Sequence, residues 1–176
     1  MFTAHGYDIT PVQLIKFYKD LVKALMANGK QVELFTNGLP EDNETAIKIQ
    51  QELKEENISI AFRTPHAAQD LVKIVSKYEG MVAARLHACI VAYSMSISAV
   101  GLVWNDKLTF FGRNIGAEQS FIKAEEIGVE SVVNHLERAL FEGYNPVVRE
   151  RYRETIVNDI GETLSVLLNN NTSVFV

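Results

Sequence analysis

At 176 residues, 47% of them hydrophobic, the chain holds enough apolar material for one well-buried domain and too little length for two. A formal net charge of -5 excludes a surface built to neutralise nucleic-acid phosphates or to lie on anionic lipid, so any anion site must be local. A lone cysteine, Cys89, rules out a disulfide framework, and no apolar run approaches the roughly 18 residues of a membrane span; the expectation is a cytoplasmic protein with no integral membrane segment and no nucleic-acid partner.

Residues 11–27 place Leu14, Phe17, Tyr18, Leu21, Leu25 and Met26 at helical spacing, with Thr10 as N-cap and Asn28-Gly29 as the stop. Residues 31–36 form a short run with β-branched and aromatic residues, closed by the turn chemistry of Asn37-Gly38-Leu39-Pro40, which predicts a strand and a loop. Residues 41–56 bring Ala46, Ile49 and Leu53 onto one helical face, and residues 58–62 follow as a second strand. A helix over 67–78, patterned on Leu71, Ile74, Val75 and Tyr78, leads to a third strand over 80–84. Residues 86–95 are apolar almost all round, which predicts a buried helix, before a fourth strand over 98–104. Three more helices are predicted over 107–114, 130–141 and 148–168, and residues 169–176 are expected to fray.

Strands alternating with helices at short connections predict parallel βαβ units, hence an α/β, Rossmann-like parallel sheet flanked by helices in a single domain over 1–176. A doubly wound unit ordinarily opens on a strand, whereas this chain opens on a helix, and the expectation is therefore the C-terminal half of a longer architecture, with a small complete domain carrying an added first helix as the alternative.

In an open parallel sheet, ligands bind beyond the carboxyl ends of the strands, where helix N-termini point in. That rule selects Thr36-Asn37-Gly38, Arg63-Thr64, Arg85 with His87, and Asn105-Asp106-Lys107, four groups expected to share one locally positive edge. Arg85 stands between apolar segments and so needs a partner; an internal ion pair with Asp or Glu and a bidentate clamp on phosphate or carboxylate both satisfy it. His87, in the first turn of the buried helix, reads either as a satisfied core histidine or as a second anion contact. Lys107 and Arg63 are the weaker members of the group. His5, His66 and His135 show no ligand spacing, and no glycine-rich phosphate loop or Ser-His-Asp elbow occurs, so no metal and no cofactor is expected.

The run Met81-Val82-Ala83-Ala84-Arg85-Leu86-His87-Ala88-Cys89, with residues 98–107 and then Phe111-Gly112-Arg113-Asn114-Ile115-Gly116, resembles the C-terminal half of the polysaccharide pyruvyl transferase family. Phe35-Thr36-Asn37-Gly38 with Asp42 is similar to that family's segment after an earlier strand, and the likeness covers residues 31–116. It implies one Rossmann-like half of a glycosyltransferase-B-like enzyme that moves a pyruvyl group from phosphoenolpyruvate to a sugar of a cell-surface polysaccharide or its precursor, as a ketal. Arg85 and His87 would then match the family's donor-binding positions, Leu86, Lys107, Asn37 and Arg63 complete the expected substrate-binding set, and His87 would be the catalytic residue as acid or base or would only bind the donor. The partners implied are phosphoenolpyruvate, a saccharide acceptor and either a missing N-terminal half or a second copy, and the 176-residue chain alone is expected to be weakly active or inactive. Two other readings remain open: a nucleotide-sugar glycosyltransferase-B domain, with Glu118 or Glu125 gripping a ribose, and a non-catalytic domain that docks a protein through its first and last helices.

Overall fold

The structure is a computed structural model and describes residues 9–169. In chain order the elements are α1 (Pro11–Ala27), β1 (Glu33–Phe35), α2 (Pro40–Glu55), β2 (Ala61–Arg63), α3 (Ala68–Val75), β3 (Gly80–Ala83), α4 (Leu86–Ser94), β4 (Ser98–Leu102), α5 (Asp106–Asn114), β5 (Phe121–Ile122), α6 (Val129–Glu142) and α7 (Pro146–Asn169). The start of α1 shows why the ends were readable. Thr10 Oγ1 accepts from the Gln13 N–H at 3.2 Å, the Gln13 side chain accepts the Thr10 N–H at 2.9 Å, and Pro11 fills the first helical position.

The architecture is mixed α/β with parallel sheets flanked by helices, as expected for a Rossmann-like fold. It is built on two ladders rather than one. β1 pairs with β2 from Glu33↔Ala61 to Phe35↔Arg63, and β3, β4 and β5 form a separate parallel sheet in that order. The helices α2, α4 and α5 make the crossovers that parallel neighbours require. β4 is buried along its whole length and its side chains alternate between two cores. Ala99 faces the cluster built by α3, α4 and α5, where Leu71, Val75, Cys89, Tyr93, Leu108 and Phe111 pack. Val100 and Leu102 face the cluster of α1 and α6, with Leu21, Leu25, Val132 and Leu136. A third cluster joins Ile15 and Val22 of α1 to Ile49 and Leu53 of α2 and to Ile60. Helix α1 therefore serves both ladders, closing the β4 core with one set of residues and the α2 core with another.

Two expectations are corrected and a third is not tested. The first two strands are three residues each, shorter than the runs that predicted them. The tail from residue 170 onward, expected to fray, lies outside the described residues, and Asn169 is the last residue of α7. A fifth strand, Phe121–Ile122, went unrecognised because two residues show no period. What places it is remote: the Phe121 ring lies between two glycines, and a Cβ at Gly101 of β4 would approach it to 2.3 Å, one at Gly112 of α5 to 2.6 Å. Along α7, Val148 packs on Gly116 and Arg149 reaches the Ser94 carbonyl, but Ile156, Ile160, Leu164 and Leu167 are exposed. Among the described residues, no helix is long and apolar enough to cross a membrane.

The glycine seat of Phe121 makes a direct prediction. Gly101→Ala should cost about 1–3 kcal/mol by overpacking, and Phe121→Leu in the same background should recover part of the loss, both read by chemical denaturation. An unchanged midpoint for Gly101→Ala would show that the ring is not held there. A second prediction concerns the α1–α2 seam, where Lys19 and Lys23 pair with Glu56 and hold its carboxyl down to about 2. A depressed carboxylate stabilises the fold above its unfolded value of about 4.3 and stops doing so as pH falls through its folded value. The stability gap between wild type and Glu56→Gln should thus be full at pH 7 and close between about pH 4 and pH 2; a gap independent of pH would refute the ion-pair origin.

Candidate functional site

The loops after β1, β3 and β4 converge on Arg85, the N-cap residue of α4. Its guanidinium pairs side-on with Asp42 in the first turn of α2, Nε to Oδ2 at 2.9 Å and Nη2 to Oδ1 at 2.6 Å. Trp104 lies against it, with the guanidinium carbon 6.0 Å from the indole centroid, and the indole N–H donates to the Ala84 carbonyl at 2.6 Å. The hydrogen bond to Asp42 raises the arginine's already high pKa, so it is charged at every working pH. Tyr18 of α1 stands in the same field; burial first and the Asp42 charge second push its hydroxyl up to about 12.

Asp42 is itself held in place. The next residue, Asn43, accepts through Oδ1 from the hydroxyls of Thr36 at 2.5 Å and Thr64 at 3.1 Å, and Thr36 Oγ1 accepts from the Gly38 N–H. Thr36 and Thr64 follow β1 and β2, so the carboxyl ends of the first ladder set the height of the first turn of α2. Gly38 adopts φ +92°, and a Cβ there would meet the Pro65 carbonyl at 3.2 Å, which fixes glycine at this turn.

The predicted residues separate into groups. Arg85, Leu86 and His87 stand together at the start of α4, which no side chain among the described residues caps, leaving its first N–H groups open there. Leu86 packs on the α3–α5 core, while His87 is exposed and makes no hydrogen bond or ion pair among the described residues. Lys107 is exposed in the first turn of α5, whose own N-cap Asn105 accepts from the Leu108 N–H. Asn37 is half-buried in the turn after β1. Arg63 departs from the expected edge: its guanidinium binds Glu33 at 3.1 and 3.0 Å, and Glu33 starts β1. In this register Arg63 lies opposite Phe35, so the side chain folds back toward the amino ends of the strands.

Two further expectations are corrected here. The edge is not a pool of free positive charge, because Arg85 and Arg63 each meet a carboxylate; the exposed cations at the carboxyl ends are Lys107 and, when protonated, His87. Arg85 is also less enclosed than its apolar flanks implied, with 35% of its side chain exposed, because the N-cap position lies where the sheet opens. Asp42 was expected only within the family-like segment, Tyr18 only on the apolar face of the first helix and Trp104 only in the fourth strand, none of them at the site. The topology supplied a usable signal for Asp42: the first helical turns after β1 and β3 open at the same edge, and Asp42 is an acidic residue in the first of them.

Glu118, considered as a ribose ligand, precedes β5 and so lies at its amino side, lining a surface depression of about 510 Å3 with Lys123, His135 and Arg138. None of the six predicted residues lines that depression.

A model of the polysaccharide pyruvyl transferase family matches residues 4–106, more than half of the chain, running from α1 through β4 to the start of α5. The chain belongs to that family. No curated protein and no solved structure matches it. The family match begins earlier than the likeness read from the motifs and ends sooner; it contains Asn37, Asp42, Arg63, Arg85, Leu86 and His87, and Lys107 is the next residue beyond it.

Cys89 lies two residues past His87, wholly buried, with burial pushing its thiol up to about 12. It should therefore stay unreactive to a disulfide reagent at pH 8 in the native protein and react stoichiometrically in denaturant. Rapid native labelling would mean that α4 opens readily and cannot hold a rigid site.

Proposed function

We propose that this domain is the donor-binding half of a glycosyltransferase-B-like enzyme that transfers a pyruvyl group from phosphoenolpyruvate to two hydroxyls of a saccharide, forming a cyclic ketal and releasing phosphate. The observation that carries the reading is the family match across Arg85-Leu86-His87, combined with their placement on a helix start that no described side chain caps, where a charged arginine is one-third exposed.

The donor carries a phosphate and a carboxylate on neighbouring positions. An arginine fork takes one oxyanion in bidentate fashion, and the open N–H groups of Leu86 and His87 with the positive end of α4 suit the other. Lys107, on the next helix start, adds a flexible positive charge for the departing phosphate. In the reaction the methylene carbon gains one proton and the carbon bearing the phosphate oxygen bonds to a sugar oxygen. The C–O bond to phosphate breaks, and the second sugar hydroxyl closes the ketal. Two hydroxyl protons are lost; one balances the methyl group and the other leaves with phosphate. His87, exposed beside the fork, is the group in this set suited to carry the proton near neutral pH. Arg63, neutralised by Glu33, supports the first ladder and takes no part in this scheme.

Calorimetric titration tests the donor. The wild-type chain should bind phosphoenolpyruvate, and Arg85→Ala should weaken it by about a hundredfold, the scale of losing a charge-assisted bidentate contact. Binding of uridine nucleotides without phosphoenolpyruvate would replace this reading with the nucleotide-sugar one.

A further inference from the structure

A guanidinium has two faces that accept an oxyanion in bidentate fashion: the side formed by Nε and one Nη, and the end formed by both Nη groups. In Arg85 the side face is taken by Asp42, at 2.9 and 2.6 Å. Among the described residues, Nη1 makes no hydrogen bond, and the side chain is one-third exposed. The end face is thus the one left for a ligand.

What holds that face in position is a chain of contacts that begins at the other ladder. Thr36 and Thr64 grip Asn43, Asn43 seats the first turn of α2, and that turn carries Asp42. Trp104, pinned to the Ala84 carbonyl, bears on the guanidinium from β4's loop. Arginine loses much rotamer freedom on binding an anion unless it is already ordered. Here Asp42 has ordered it beforehand.

We infer that Asp42 is a positioning residue: it takes the Nε side of Arg85 so that the end face is turned to an oxyanion of the donor, and it keeps its own contact while the donor is bound. This rests on the donor reading above. It also makes the ion pair and the anion clamp two faces of one residue, with Asp42 serving the site without touching the substrate.

Two measurements on the full chain test it. In the first, phosphoenolpyruvate is titrated calorimetrically into wild type, Arg85→Ala, Asp42→Asn, Asp42→Glu and Asp42→Ala. Asp42→Asn is expected to weaken binding about tenfold with cooperative unfolding retained, and Asp42→Glu to recover part of the affinity. Wild-type affinity in Asp42→Asn, or tighter binding in Asp42→Ala because a competing carboxylate has gone, overturns the inference while leaving the donor reading standing. A wild-type chain that binds no phosphoenolpyruvate overturns both. The second measurement needs no substitution at Asp42: the Arg85 Nε–H resonance of the 15N-labelled wild type, assigned by its loss in Arg85→Lys, should exchange slowly with water and stay in place when phosphoenolpyruvate saturates the protein. A resonance that moves to the solvent-exposed position on saturation means the donor displaces Asp42, and the inference fails.

Discussion

The side-on pairing of Arg85 with Asp42 ties together two sheets that, among the described residues, share no ladder of hydrogen bonds. The chain builds its α/β core in two pieces, β1–β2 over α2 and β3–β4–β5 between two helical layers, and hydrophobic burial joins them mainly through α1. Burial of that kind is not directional. It brings the ladders into contact without setting the relative height of their carboxyl ends, where a site in this kind of fold must form. A planar fork against a planar carboxylate does set it, because both hydrogen bonds hold only at one distance and one angle. The same pair therefore acts as a structural joint and as the reference point from which the helix start of α4 is aimed.

Charge compensation follows from that joint. On a protein with a net charge of -5, carboxylates are available to most cations, and the arginines at strand ends have found them. Attraction at this edge thus comes from local geometry: the open N–H groups of α4, one face of one guanidinium, and the exposed Lys107 and His87. On the proposed donor reading, such an edge would discriminate by the number and placement of oxyanions more than by long-range steering, which a net negative molecule does not offer to an anion.

Much of the fold was legible in the sequence, and what was not has physical causes. Helices with a 3.6-residue apolar stripe and local caps, α1 with Thr10-Pro11 and the seam helix α2 with Ala46, Ile49 and Leu53, carry their own evidence. The strand β4 was legible because burial on both faces makes it apolar from Ala99 to Leu102. β5 was not, since its two residues are placed by Gly101 and Gly112, whose missing side chains make room for Phe121. The break between ladders was equally hidden, as a strand's partner is a property of the assembled sheet. In the candidate site, Arg85-Leu86-His87 was visible as a polar interruption of an apolar stretch, and its position at a helix start followed from the strand before it. The direction of Arg63 and the partner of Arg85 were not, because they depend on register and on a contact 43 residues away in the chain.

That distant contact changes how a lone arginine in an apolar context should be read. Its sequence poses a choice between an internal ion pair and a ligand clamp, on the premise that one carboxylate uses up the residue. Guanidinium geometry removes the premise: five N–H donors in one plane serve a side-on partner and an end-on partner at once. A protein carboxylate on the first face orders the side chain and leaves the second face open, which is what the proposed ligand role requires. A lysine at position 85 could not divide its contacts in this way, since an ammonium is a point charge whose three donors rotate together. A carboxylate partner on the Nε side, as Asp42 is here, is therefore compatible with the ligand role proposed for Arg85.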